Sequence, residues 1–290
     1  MTRRFSRFAA VDWSGQAVAR PKGLAAAVAK AGETAPRLIG PAEGWSRADL
    51  RDWLLQLAAE DTDMVVGLDL SPALPFVDRG AYFPGWPDSP PEAKSLWAQV
   101  ELICAGDPHL AATSLVADPE LGRHFRRHRQ PGDRFEGGRG RLRVCERAQL
   151  AAGLSPTSCF NLVGAAQVGK SSLTGMRVLH RLDGRVPVWP FDPVPASGPV
   201  IVEIYTTIAA RAAGLRAGRS KLRDPHALDA ALWALGSAPH APLPAYHDHA
   251  TDALITAAWL RRVTTDAALW QPGGLTEQVR QTEGWTFGVV

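Results

Sequence analysis

Met64-Val65-Val66-Gly67-Leu68-Asp69 is an unbroken apolar run that ends in a carboxylate. Five residues are too few for a helix, and no polar position interrupts them, so the run reads as a strand buried on both faces. Such strands belong to parallel sheets covered by helices on either side. Working back, Ser46 is a good N-cap with Asp49 three residues later, and Leu50, Trp53, Leu54 and Leu57 follow at helical spacing. Before that helix, residues 5–12, 23–29 and 37–39 read as three short strands joined at Ser14-Gly15 and Gly32-Glu33, although the Ala-rich second one has the composition of a helix. The opening order is β-β-β-α-β.

Working forward, Pro72, Pro75, Pro84, Pro87, Pro90 and Pro91 break the rhythm, so the stretch begins as loop. Residues 92–105 carry a helical stripe of Leu96, Val100 and Ile103. Residues 123–147 hold nine arginines, no lysine and three acids, with Phe125 and Phe135 interleaved. The segment 71–160 therefore reads as an insertion carrying a mobile basic loop, suited either to solvation or to binding phosphates. Alternating order then returns, with strands at 160–163 and 200–205 and helices at 171–182, 207–215, 224–235 and 249–263. The expected architecture is one α/β domain over residues 1–290, with a mixed five-stranded sheet, helices on both faces and a large insertion at about 71–160.

Composition sets loose bounds. A net charge of +3 permits nucleic-acid binding without requiring it. Cys104, Cys145 and Cys159 form no CxxC pair, which argues against a zinc cluster or disulfide framework and suits a reducing cytoplasm. No signal peptide is evident behind Met1-Thr2-Arg3-Arg4-Phe5, and no apolar run is long enough to suggest a membrane span.

Four acids stand in apolar surroundings. Asp12 follows Phe8-Ala9-Ala10-Val11, Asp69 closes the quoted run, Glu203 follows Val200-Ile201-Val202, and Asp252 opens an apolar helix through Leu260. A buried, unpaired carboxylate costs several kcal/mol. Hard oxygen ligands are what Mg²⁺ or Mn²⁺ takes, so a shared cation would relieve that cost. Carboxylates that hold two ions about 3.5–4 Å apart support phosphodiester hydrolysis. Asp248 and His249 lie within a turn of Asp252, placed to assist as ligand, cap or proton carrier. Each acid, taken alone, also reads as an element's end. Trp13, beside Asp12, reads as core or as a base-stacking ring. Trp45, Trp53, Trp97, Trp233 and Trp259 read as core.

Gly164-Ala-Ala-Gln-Val-Gly169-Lys170-Ser171 matches GxxxxGK[ST], so a nucleotide-binding ATPase is the competing reading. Against it, no strand ending in Asp follows. A middle reading has Lys170 and Ser171 hold a substrate phosphate, with Arg126, Arg127 and Arg129 adding contacts from the basic loop.

The β-β-β-α-β opening, with Asp12 on the first strand and Asp69 on the fourth, resembles the RNase H-like fold. His249-Ala-Thr-Asp252-Ala-Leu254 resembles the HxxDA helix of RuvC-like Holliday-junction resolvases. The whole chain most resembles an uncharacterised family of RNase H-like nucleases, domain of unknown function 429. The resemblance rests on Val11-Asp12-Trp13-Ser14-Gly15, Gly67-Leu68-Asp69-Leu70-Ser71-Pro72, Val163 to Gly169, Trp189-Pro190-Phe191-Asp192, Val202-Glu203-Ile204-Tyr205 and Glu283-Gly284-Trp285. It implies a metal-dependent nuclease acting on DNA or RNA, with its site at Asp12, Asp69, Glu203 and Asp252. Actin-like and sugar-kinase ATPases share the core, but Leu70-Ser71-Pro72 lacks the glycines of their second phosphate loop. A nucleic-acid-binding protein that kept the fold without catalysis is the remaining alternative.

Overall fold

The computed structural model describes residues 3–127, 130–136, 138–164, 167–216 and 222–290. Strands β1 (Arg7–Asp12), β2 (Ala25–Lys30) and β3 (Arg37–Ile39) form an antiparallel meander, with Arg7 opposite Lys30 and Asp12 opposite Ala25. Helix α1 (Arg47–Ala59) then crosses to β4 (Met64–Leu68), which pairs parallel to the free side of β1. The α1 start is as its sequence reads. The Ser46 hydroxyl accepts from the Asp49 amide at 3.0 Å, and the Asp49 carboxylate accepts from the Ser46 amide at 3.0 Å.

The long connection after β4 contains α2 (Ala93–Ile103), α3 (Thr113–Ala117), a hairpin of β5 (Arg126–Arg127) and β6 (Gln130–Pro131), α4 (Val144–Ala151) and α5 (Val168–Arg181). It ends in β7 (Val188–Trp189) and β8 (Pro199–Glu203). Helices α6 (Thr206–Ala212), α7 (Pro225–Ala234), α8 (Asp248–Val263), α9 (Ala267–Trp270) and α10 (Glu277–Thr282) complete the chain.

The sheet order is β3-β2-β1-β4-β8-β7, with β4, β8 and β7 parallel to β1. The protein is thus α/β with a mixed sheet, of six strands rather than the five expected. The extra one, β7, has two residues, too short to show any period of its own. The expected strand at 160–163 is absent. Asn161 makes only an isolated bridge to Arg126, outside the main sheet.

Strand alternation distributes the core. Ala9, Val11, Val66 and Leu68 pack with Leu50 and Leu54 of α1, Leu96 and Val100 of α2, and Leu173 and Met176 of α5. Phe8, Ala10, Val65, Val200 and Val202 pack with Leu228 and Leu232 of α7 and Ala253, Leu254 and Ala257 of α8. The Ala-rich β2 is a strand because β1 supplies its hydrogen-bond partners. Its small side chains let α8 lie close across β1 and β2.

The segment expected as an insertion is not laid over the surface. Leu74, Tyr82, Phe83, Phe125 and Phe160 are buried in the same cluster as Val11 and Leu68. Trp45, Trp97 and Trp259 are core and Trp53 is half-buried, as read, but Trp233 is 80% exposed. The inward stripe of α7 is Leu228, Ala231 and Leu232, and position 233 turns away from it. Among the described residues no helix is long and apolar enough to cross a membrane.

Candidate functional site

Strands β1, β4 and β8 are parallel neighbours, so their C-terminal ends open on one edge of the sheet, where α/β folds place ligands. Asp12 ends β1. Asp69 follows β4, its amide donating to the Val11 carbonyl at 2.9 Å. Glu203 ends β8, level with Leu68. Helix α8 brings Asp248, His249 and Asp252 in its first two turns, where the helix N-terminus favours negative charge. All six line one cleft of about 490 Å³, together with Gly15, Ser71, Arg143, Lys170 and Ser171.

The acids act on one another. Burial pushes the Asp69 carboxyl well above the usual carboxylate range, and the charges of Asp12, Asp252 and Glu203 push it further. A hydrogen bond from the Thr206 backbone opposes them. Asp12 is only 7% exposed, and burial raises its carboxyl too, partly offset by His249. His249 Nδ1 lies 3.3 Å from Asp12 Oδ2, and that contact holds the imidazole above its ordinary value. Asp248 starts α8 rather than capping it, since His247 is the N-cap, and its carboxylate lies 3.1 Å from Arg223.

Glu203 has a separate environment. Val11, Leu68 and Glu203 are register partners, and the first two face α1, α2 and α5. Alternation therefore assigns Glu203 to that side and Asp12 to the α8 side. Glu203 is held there by Arg143, whose Nη1 donates to Oε2 at 2.8 Å and Nη2 to Oε1 at 2.5 Å. The Thr286 hydroxyl donates to Oε1 at 2.7 Å. Arg143 also reaches Glu146, Ser71 and the Glu283 carbonyl. Glu283 in turn accepts from the amides of Phe76, Val77 and Val144, so the Glu283-Gly-Trp285 motif ties the C-terminus beneath the cleft.

Sequence reasoning missed Arg143. It sits in a run of nine arginines, and nothing local marks it as fully buried. The others divide between structure and surface. Arg141 is buried against Asp78 and the carbonyls of Pro75, Ala81 and Tyr82, while Arg123 pairs with Asp133 and Glu120. Arg126 and Arg127 are exposed on the β5–β6 hairpin, beside a second depression of about 1260 Å³. Gln167 and Lys170 line both this depression and the carboxylate cleft. Arg129 lies outside the described residues.

Lys170 and Ser171 sit in the first turn of α5. At Gly15 a Cβ would fall 2.4 Å from the Lys170 carbonyl carbon, so the β1–β2 loop packs directly on this helix start. The geometry departs from a nucleotide loop. The Gly169 amide donates to the Asn161 carbonyl and the Lys170 amide to that of Gln167, both at 3.1 Å, so two amides suited to a phosphate are already engaged. A Cβ at Gly169 would lie 2.2 Å from the Cys159 carbonyl oxygen, which accounts for that glycine by packing. Ala165 and Ala166 of the same match lie outside the described residues. Trp13 is buried and its indole N–H donates to Thr174 at 3.1 Å, which leaves no open ring face for a base.

As the side chains stand, no three His, Cys, Asp or Glu among the described residues are arranged to hold a metal ion. Asp12 meets His249, Glu203 is clamped by Arg143, and Asp248 lies beside Arg223. The donor chemistry of Asp12, Asp69 and Asp252 is nonetheless that which a hard divalent cation takes, and burial, then the charges of Asp12, Asp252 and Glu203, raise the Asp69 carboxyl. Comparison with family models, with curated proteins and with solved structures finds no match to this chain.

Proposed function

We propose that this protein is a divalent-metal-dependent nuclease built on an RNase H-like fold, hydrolysing phosphodiester bonds of nucleic acid. The observation that carries the reading is that Asp12, Asp69 and Asp252 converge from neighbouring elements on one cleft at one sheet edge, where burial and then the charges of Asp12 and Asp252 raise the Asp69 carboxyl. A cluster of like charges at the mouth of a cleft opposes folding unless it serves a cation. The strand order β3-β2-β1-β4-β8, with its antiparallel meander and α8 across it, supports the fold assignment. Asp12, Asp69 and Asp252 would hold Mg²⁺ or Mn²⁺, with Asp248 at the rim. The bound ion supplies charge neutralisation at phosphate and a water of lowered pKa. His249, on Asp12 and half-exposed, is placed to pass a proton to or from the cleft. Lys170 and the exposed Arg126 and Arg127 present positive charge along the path leading away from the acids.

The test is cleavage of single-stranded DNA, duplex DNA and RNA by purified protein in Mg²⁺, in Mn²⁺ and in EDTA. Activity on at least one substrate that EDTA removes and Mn²⁺ restores is expected. Metal-independent cleavage, or none on any of these, overturns the reading.

A second expectation separates this reading from an ATPase. Lys170→Ala should weaken nucleic-acid binding and flatten the slope of log K against log salt by about one unit, because one phosphate contact is lost. Wild-type protein should show no saturable ATP binding. Micromolar ATP binding that Lys170→Ala abolishes would favour the nucleotide reading instead.

A further inference from the structure

The depression of about 1260 Å³ beside the carboxylate cleft has the opposite charge. Among the described residues that line it there is no aspartate or glutamate, while Arg123, Arg126, Arg127 and Lys170 all contribute. Arg123 is spent on Asp133 and Glu120, but among the described residues no carboxylate pairs with Arg126, Arg127 or Lys170. The hairpin that carries the arginines is tied down at its base. The Arg126 amide donates to the Phe160 carbonyl at 2.9 Å, the Leu162 amide to the Arg126 carbonyl at 3.1 Å, and the Gly132 amide to the Phe125 carbonyl at 3.0 Å. Phe125 and Phe160 are core residues. A Cβ at Gly122 would fall 2.8 Å from Arg127 Nη2, so that guanidinium lies against the backbone. Between the cations the lining is apolar, made by Val116, Leu162 and Val163.

We propose that this depression binds a single-stranded segment of nucleic acid, and that the strand passes over Gln167 and Lys170, which line both hollows, to reach the acids. This rests on the nuclease reading above and names the form of its substrate. Phosphates lie on the outside of any nucleic acid and find Arg126, Arg127 and Lys170. The apolar surface between these cations finds a partner only where bases are unpaired, because a duplex keeps its base faces stacked within. A single strand also bends at each phosphate. It can therefore descend from the depression into a cleft of about 490 Å³ where Asp12 is only 7% exposed. A duplex is stiff over about 150 base pairs and does not follow such a turn.

The experiment is fluorescence anisotropy of the full chain in EDTA with labelled mixed-sequence oligonucleotides of about 12 residues, a length such grooves span. DNA and RNA are each presented as a single strand and as a duplex. A single strand of at least one of the two is expected to bind at least about tenfold more tightly than its duplex. Arg126→Ala and Arg127→Ala together replace two exposed side chains. They should weaken single-strand binding at least about tenfold and flatten the slope of log K against log salt by about 1.4 units, about 0.7 for each lost contact. Duplex binding as tight as single-strand binding for both DNA and RNA overturns the proposal, and so does wild-type affinity in the double variant. Cleavage in Mn²⁺ is read separately. The expected binding without cleavage would remove the nuclease reading and leave the strand site standing. Metal-dependent cleavage of a duplex, with no single-strand binding, would do the reverse.

Discussion

Replacing Asp69 with asparagine is expected to lower metal-dependent cleavage by at least about 10³-fold, equivalent to about 4 kcal/mol of transition-state stabilisation, and yet to raise the stability of the metal-free protein at neutral pH. The two effects share one cause. Burial and the charges of Asp12, Asp252 and Glu203 hold the folded-state carboxyl well above its ordinary value of 3.8. A carboxyl raised in the folded state binds its proton more tightly there than in the unfolded chain. Folded protein therefore carries more protons across the window between the ordinary and the raised values, and stability falls as pH rises through it. Above that window the ionised group destabilises the fold, by on the order of 1 kcal/mol or more. Asparagine keeps the shape and removes the charge. Urea unfolding in EDTA across a pH series should show wild type losing stability with rising pH over this window, and Asp69→Asn losing less. Saturating Mg²⁺ should reverse the ranking, because a ligand that binds only the folded state stabilises it and the variant has lost that ligand. Equal stability of the two proteins in EDTA at neutral pH would mean that the acids do not repel one another as described.

Arg143→Met should destabilise the protein by about 3–5 kcal/mol, the cost of leaving buried charge without its partner. Methionine fills much of the same space, so the loss isolates the charge rather than a cavity. Glu203 and Glu146 are 5% and 3% exposed, and both lean on this guanidinium. The deficit should shrink as pH falls, since burial already raises the Glu146 carboxyl and, without its cation, it can take up a proton in place. Urea denaturation at pH 7 and again near pH 5 checks both statements. A loss under about 1 kcal/mol, the range of an exposed pair, would show that the network is not buried in solution.

Much of the frame was legible in the chain itself. The capped start at Ser46 and Asp49, the unbroken Met64–Leu68 strand and the long helix carrying Asp252 all follow from signals a few residues apart, because capping and amphipathic periods are local. The apolar runs that end in Asp12, Asp69 and Glu203 were equally plain, and so was the β-β-β-α-β opening order. The edge strand β7 and the β5–β6 hairpin were not legible, because two-residue strands carry no period.

The tertiary structure alone decided what each of these charges meets. Glu203 and Asp12 look alike as sequence, each an acid ending an apolar run. They differ because Arg143, 60 residues before Glu203, returns to clamp one of them, while His249, 237 residues after Asp12, meets the other. Gly169 and Lys170 look like part of a phosphate loop until the carbonyls of Cys159 and Asn161 take up the space and the amide that a phosphate would need. Hydrogen-bond partners so far apart in the chain leave no local pattern, because burial of a charge depends on what folds against it and not on its neighbours in sequence.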